Sequence, residues 1–198
     1  MKINLLKAGA PLLAASLLLS VTASAQNRVT YGEVVQSLAS TGQTAQKIGI
    51  NVDQFRADIE ERIRAEGGEN ASSPPPVSEV LSKLPNFIVQ IQFNLDSDVI
   101  RPESWEVSGK IADALHHPLL KGNRFLLVGH TDARGDRMYN LELSERRAAA
   151  VKEMLVNVFK VPAEHLVAVG LGEEQLFEPG NPNADVNRRV EILNIGPA

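Results

Sequence analysis

Val89, Ile91 and Phe93 alternate with Gln90 and Gln92, which puts apolar groups on one face and amides on the other, the period of a half-buried strand. Pro102 suits the first position of a helix. Val107, Ile111, Ala114 and Leu115 then recur at helical spacing until Pro118 stops the pattern. The run Phe125-Leu126-Leu127-Val128 makes Arg124 to Gly129 a second strand. A second helix is expected from Leu143 to about Phe159, with Ala148, Val151, Leu155 and Val158 on one side. Leu166 to Leu171 and Arg189 to Ile195 read as two more strands, the last reached through the loop Glu173 to Asn187. Strands alternating with helices predict an α/β, or two-layer α+β, domain of βαβαββ order, with two helices packed on one face of a four-stranded mixed sheet. No internal repeat interrupts this order.

Upstream, residues 26–69 predict a short helical segment. Phe55, Ile59 and Ile63 recur every four residues as a narrow apolar stripe. Asp53 is placed to cap that helix, Asp58–Arg62 and Glu60–Arg64 are spaced as supporting ion pairs, and Gly67-Gly68 ends the pattern. So narrow a stripe makes a marginal helix unless it packs on something. Residues 70–76, NASSPPP, form a polar, proline-rich and extended linker. The compact domain is expected over 77–198, long enough to bury its own core.

The first 25 residues change the setting. Lys2 and Lys7 open them, Leu12 to Val21 is a short apolar run, and Ala23-Ser24-Ala25 has the small-x-small pattern of a cleavage site. We expect a signal peptide over 1–25, too short in its apolar part for a comfortable membrane span, and a mature chain without a transmembrane segment. The formal charge of −4 then becomes −6, because Lys2 and Lys7 leave with the signal. This acidity argues against a nucleic-acid partner, since no basic stripe exists to neutralise phosphates. The chain has no cysteine, which removes disulfides, thiolate metal sites, a cysteine nucleophile and a lipid-modified cysteine.

The candidate chemistry lies in GHTDARGDRMYNLELSERRAAAV, Gly129 to Val151. The second strand delivers the chain into a polar turn carrying Thr131 and Asp132, and the helix beyond carries Arg147 beside its apolar face. A carboxylate and a guanidinium flanking one loop suit a ligand that bears both an amine and a carboxylate. By themselves the spacings also allow plainer roles. Asp132 and Thr131 can bond the turn's own N–H groups. Asn140, just before the helix, can act as a local cap, and Arg147 can form a salt bridge at the helix edge. Glu145 and Arg146 face solvent in this reading. Arg188-Arg189 opens the last strand, where alternation puts one side chain on each face of the sheet.

GHTD, a glycine three residues on, then N…LS..RA..V, then NRRVEI resembles the OmpA-like peptidoglycan-binding domain family, in order and in spacing, from about Val89 to Ile195. FNLDSDVIRP resembles that family's first strand and loop. The resemblance implies non-covalent binding of peptidoglycan through the diaminopimelate of its stem peptide. Asp132 would hold the diaminopimelate ammonium and Arg147 its carboxylate. Thr131, Asn140 and one of Arg188 and Arg189 would line the same pocket, with Asp96 and Ser97 on its rim. The segment Glu173 to Asn187 lacks the glycine-arginine step that the family has before NRR, which leaves the choice between Arg188 and Arg189 open.

Taken with the signal, the resemblance implies a soluble periplasmic protein of a Gram-negative bacterium, associated with the cell wall and peripheral to the outer membrane. Residues 26–69 then have two readings: an adaptor that docks another envelope protein, or a segment that folds back on the domain or stays disordered. A wall-gripping part of a motor or secretion complex would use the same chemistry. A cell-wall hydrolase is the weaker alternative: His130, Asp132 and Ser144 are triad residue types, but no nucleophile elbow surrounds Ser144. No metal or cofactor is expected, since the adjacent His116 and His117 point apart on a helix and match no zinc spacing.

Overall fold

A computed structural model of the chain describes residues 29–39, 51–66, 74–94 and 96–198. The signal peptide expected over 1–25, the Gly67-Gly68 stop and residues 70–73 of the linker lie outside them. The described elements are α1 (Tyr31–Ala39), α2 (Val52–Glu66), α3 (Pro76–Leu81), β1 (Asn86–Val89), α4 (Trp105–Leu115), β2 (Asn123–His130), α5 (Arg137–Asn157), β3 (Leu166–Gly172) and β4 (Val190–Pro197). No helix among the described residues is long and apolar enough to cross a membrane.

From β1 onward the order is βαβαββ, as the periodicity predicts. The sheet runs β1-β4-β2-β3, with β2 and β3 parallel and β4 antiparallel to both of its neighbours. The last strand in sequence is thus an inner strand. It is buried at nearly every position, as expected of a strand covered on both faces. Alternation divides its side chains: Val190 and Ile192 join one apolar cluster with Phe125 and Leu127, while Leu193 and Ile195 join a second with Leu126 and Val128.

The first cluster lies under α4 and α5, through Ile111, Leu115, Val151 and Leu155. Helix α5 sits very close to β2 and β3. A Cβ on Gly129 would lie 2.2 Å from Ser144 O, and one on Gly170 would lie 2.5 Å from Glu145 N. Two adjacent strands each place a glycine where the helix backbone presses on the sheet.

The upstream helices fold back on this domain. Val34 and Leu38 of α1 are buried in the first cluster beside α4, and Asn194 Nδ2 donates to Leu38 O at 3.0 Å. Phe55, Ile59 and Ile63 of α2 bury their stripe in the second cluster, on the opposite face of the sheet, with Leu81 of α3. The marginal helix is stable because each of these apolar side chains gains a core. Of the two readings of the upstream segment, its described helices follow the folding-back one.

Local details differ from the sequence expectation. The cap of α2 is Asn51, whose Oδ1 accepts from Gln54 N at 3.1 Å, while Asp53 lies within the first turn. Asp58 accepts from Gln54 Nε2, and Arg62 reaches Glu66 at 3.0 Å and Glu174 at 3.6 Å in place of the expected pair, whereas Glu60–Arg64 forms at 2.7 Å. The first strand covers Asn86–Val89. Ile91 remains in the core beyond it, and Phe93 makes only an isolated bridge to Ile100. Helix α5 starts six residues before Leu143, at Arg137, because Asp136 caps it by accepting from Tyr139 N at 2.9 Å. Its first turns carry mostly polar residues, Arg137 and Asn140 among them, which hides them from an apolar count.

Candidate functional site

The polar turn joins β2 to α5 at the C-terminal end of the parallel strands. Its backbone is tied down on several sides. Thr131 N donates to Gly172 O at 2.9 Å and Ala133 N to Pro182 O at 3.0 Å, while Gly135 takes the left-handed conformation at φ 98°. Asn140 lies inside the helix and is buried. Its Nδ2 reaches Asp132 O at 3.3 Å, Arg134 O at 3.0 Å and Glu173 Oε2 at 2.6 Å. Asn140 therefore fastens the turn to the helix and to the following loop. Thr131 is buried as well, and its Oγ1 has no hydrogen-bond partner among the described residues.

Asp132 sits under the turn with both oxygens engaged. Oδ1 accepts from Arg134 N at 3.2 Å, and Oδ2 accepts from Arg188 Nη1 at 2.6 Å. Arg188 spans two carboxylates, because its Nη2 also lies 2.7 Å from Asp185 Oδ1. Arg189 turns away. It is buried against the loop after β3, donating to Gln175 O at 3.1 Å and to Asn187 O at 3.4 Å and stacking over Phe177. Burial pulls the Arg189 guanidinium down to about 10, against the pull of Glu191. Both arginines precede β4, which starts at Val190 rather than at Arg189, and Arg188 closes the 3-10 turn Asp185–Asn187; the two side chains part there, and Arg188 is the one beside Asp132.

Arg147 comes from the third turn of α5. Its Nε donates to Ser97 O at 3.0 Å, and its guanidinium lies 4.9 Å from the centre of the Phe93 ring. Among the described residues it makes no ion pair. Burial and the neighbouring Arg188 hold its pKa below the usual arginine range, against Asp132, Tyr139 and Asp96. Its cationic neighbour Arg188 is already paired to Asp132 and Asp185, whereas the Arg147 guanidinium has no carboxylate of its own within ion-pair distance among the described residues.

Arg147 and Arg188 line one cavity of about 310 Å³ with Gln90, Gln92, Phe93, Arg101 and Asp185. Ser97 contributes its carbonyl to this corner, and its Oγ accepts from Val99 N at 3.0 Å. Asp96, in the left-handed region at φ 52°, accepts from the Tyr139 hydroxyl. The structure therefore gathers Asp132, Arg147, Arg188 and the Asp96-Ser97 loop, uses Asn140 inside the framework, and sends Arg189 elsewhere. Sequence reasoning missed Arg101, Asp185, Phe93 and Tyr139 here. For Asp185 a signal existed: it lies on the loop whose sequence departs from the family pattern.

Behind the turn the triad residue types do not converge. Ser144 Oγ donates to Leu141 O at 2.7 Å and accepts from Gly172 N at 2.8 Å, bracing α5 against β3. His130 is wholly buried with Nε2 3.6 Å from Glu191 Oε2. Glu145 is not free in solvent, since Arg56 of α2 reaches its Oε2 at 2.5 Å. His116 Nε2 lies 3.0 Å from Phe159 O, and His117 Nδ1 accepts from Leu119 N at 3.2 Å, so each ring has a separate local partner.

The sequence over residues 92–189 matches the model of the OmpA family. The chain carries an OmpA family domain. That stretch holds every candidate site residue and ends just before β4. The chain is 40% identical over 107 residues to a peptidoglycan-associated lipoprotein of Pseudomonas putida, covering 53% of this chain and 62% of that protein. It is 28% identical over 152 residues to outer membrane protein A of Shigella flexneri, covering 76% of this chain and 43% of that protein. The chain thus spans less than two thirds of the length of these curated relatives. A similar solved structure is the peptidoglycan-associated lipoprotein of Burkholderia pseudomallei, at 29% identity and a TM-score of 0.46, covering 58% of this chain and 92% of that one.

Proposed function

We propose that this OmpA family domain binds peptidoglycan non-covalently at the cavity beside Arg147 and links the cell wall to another envelope component. The observation that carries the reading is the Arg147 guanidinium: half-buried, bonded through Nε to a backbone carbonyl, without an ion pair among the described residues, and next to Arg188. Its Nη groups form a planar fork matched to a carboxylate. The nearby Asp132 and Arg188 supply opposite charges at the same corner. Such a site fits the zwitterionic end of a diaminopimelate side chain, with its carboxylate on Arg147 and its ammonium toward the aspartate side. The names of the relatives support the wall as partner and the periplasm, at or near the outer membrane, as the place.

Each charge-assisted bond contributes about 1.5–3 kcal/mol before ordering costs, less where water reaches it. Affinity for one stem peptide is then modest, and firm attachment comes from many equivalent peptides on the wall. We read this as a binding role rather than hydrolysis, because the Ser144 hydroxyl is engaged in bracing the helix against β3. A second envelope protein would meet α1 and α2 as part of the domain surface, since their apolar stripes are already covered.

Co-sedimentation with purified sacculi tests the reading. Asp132→Ala and Arg147→Ala should each remove binding while thermal melts show a folded protein, and lysine-type walls should bind less than diaminopimelate-type walls. Normal sedimentation of both variants would rule the site out.

A further inference from the structure

We infer that Asp185 is the outer carboxylate of the binding site and sets its preference for a ligand that carries an ammonium as well as a carboxylate. This rests on the wall-binding reading and names a determinant outside GHTD and Arg147.

Three observations converge on Asp185. First, Asp132 has little capacity left: its side chain is 10% exposed, and its two oxygens accept from Arg134 N and Arg188 Nη1. Second, Asp185 is 82% exposed and lines the same cavity as Arg147 and Arg101. Third, Arg188 joins the two aspartates, at 2.6 Å to Asp132 and 2.7 Å to Asp185. One guanidinium shared by two carboxylates leaves that trio with one negative charge. Arg101 and Arg147 line the same cavity; Arg101 lies 3.3 Å from Glu103, whereas Arg147 makes no ion pair among the described residues and carries the positive end. The cavity is therefore polarised, with an ammonium favoured at Asp185 and a carboxylate favoured at Arg147.

The position of Asp185 is imposed by the loop. It starts the short 3-10 turn Asp185–Asn187, and buried Asn187 anchors the turn by donating to Asn181 O and Pro182 O and accepting from Glu178 N. Two further bonds tie the same loop to the GHTD turn, Ala133 N to Pro182 O and Arg134 Nη2 to Asn183 O. Asp185 is thus presented from a braced segment, so an incoming ammonium meets a fixed carboxylate.

The test compares free meso-diaminopimelate with pimelate, which keeps both carboxylates and lacks both ammonium groups, by calorimetry on the full chain. Asp185→Asn keeps the shape, and its exposed position leaves the fold intact. The expected result is an affinity for diaminopimelate lowered about fivefold, the size of an exposed ion pair, with pimelate binding unchanged or improved. Unchanged diaminopimelate affinity in Asp185→Asn would overturn the assignment while leaving the wall-binding reading in place. An equal loss for both ligands would also overturn it, since Asp185 would then act only by holding Arg188. If the unaltered chain ignored sacculi and diaminopimelate alike, the parent reading would fall first and this one with it.

Discussion

Arg137 donates to both oxygens of Glu174, at 2.9 Å through Nε and 2.7 Å through Nη2, and each of the two side chains is 1% exposed. The same Nη2 reaches Glu66 at the end of α2, 3.1 Å away. One arginine in the first turn of the site helix thus joins the loop after β3 to the upstream helix. Burial alone would lower its pKa, and the two glutamates more than offset this and raise it.

Breaking this pair from one side leaves a buried charge with only its weaker partner, Glu66 for Arg137 or Arg62 for Glu174. Arg137→Ala or Glu174→Ala should cost about 2–3 kcal/mol in urea unfolding, less than for a buried charge left wholly unpaired. Replacing both residues by apolar ones of similar volume should cost far less. A loss below about 1 kcal/mol in either single variant would show that water reaches the site.

Helix α2 contributes through its apolar stripe. Ile59→Ala removes a side chain that is 2% exposed from the second core cluster and should cost about 2–4 kcal/mol. Hydrogen exchange should rise first in the α2 amides. Unchanged exchange there would mean that the helix does not depend on this contact.

The guanidinium fork at position 147 is distinguishable from its charge. Arg147→Lys keeps one positive charge and loses the planar pair of donors. Binding to sacculi should weaken about tenfold or more, the equivalent of one charge-assisted bond, while stability changes little. Lysine binding as well as arginine would show that charge alone suffices.

His130 predicts a pH dependence of stability. Burial pulls its pKa from 6.5 down to about 4, with Glu191 pulling the other way and Arg189 adding to the drop. The folded state therefore favours neutral imidazole. Below about pH 6.5 the unfolded chain takes up a proton that the folded one refuses, so stability falls as pH falls and levels off near pH 4. The shift corresponds to about 3 kcal/mol across that window. Between pH 7 and pH 4 the unaltered chain should lose stability relative to His130→Gln by about that amount, whatever the gap between the two at pH 7. Parallel pH profiles would exclude His130 as the cause.

The order of strands and helices was readable in the chain, because side-chain period is a local consequence of backbone geometry: Phe125 to Val128, Val151 with Leu155, and the stripe Phe55, Ile59 and Ile63 all fell where their spacing put them. The site turn was readable too, since GHTD and Arg147 lie close in sequence. Boundaries were less so. Helix α5 began at Arg137 because a capping aspartate and buried polar contacts outweighed the lack of an apolar pattern there.

What tertiary structure alone decided was which surfaces meet and which charges neutralise each other. Alternation said that Arg188 and Arg189 must part, but not which one would meet Asp132, because that depends on how the 3-10 turn Asp185–Asn187 leads into β4. The stripe on α2 called for a partner without naming one, and the uncovered face of the sheet supplied it. Asp185 meets Arg188 beside Asp132 only because the loop from Glu173 to Asn187 is tied to the turn that begins at Thr131. Period and capping act within a few residues, whereas desolvation and charge compensation depend on whatever the fold brings alongside.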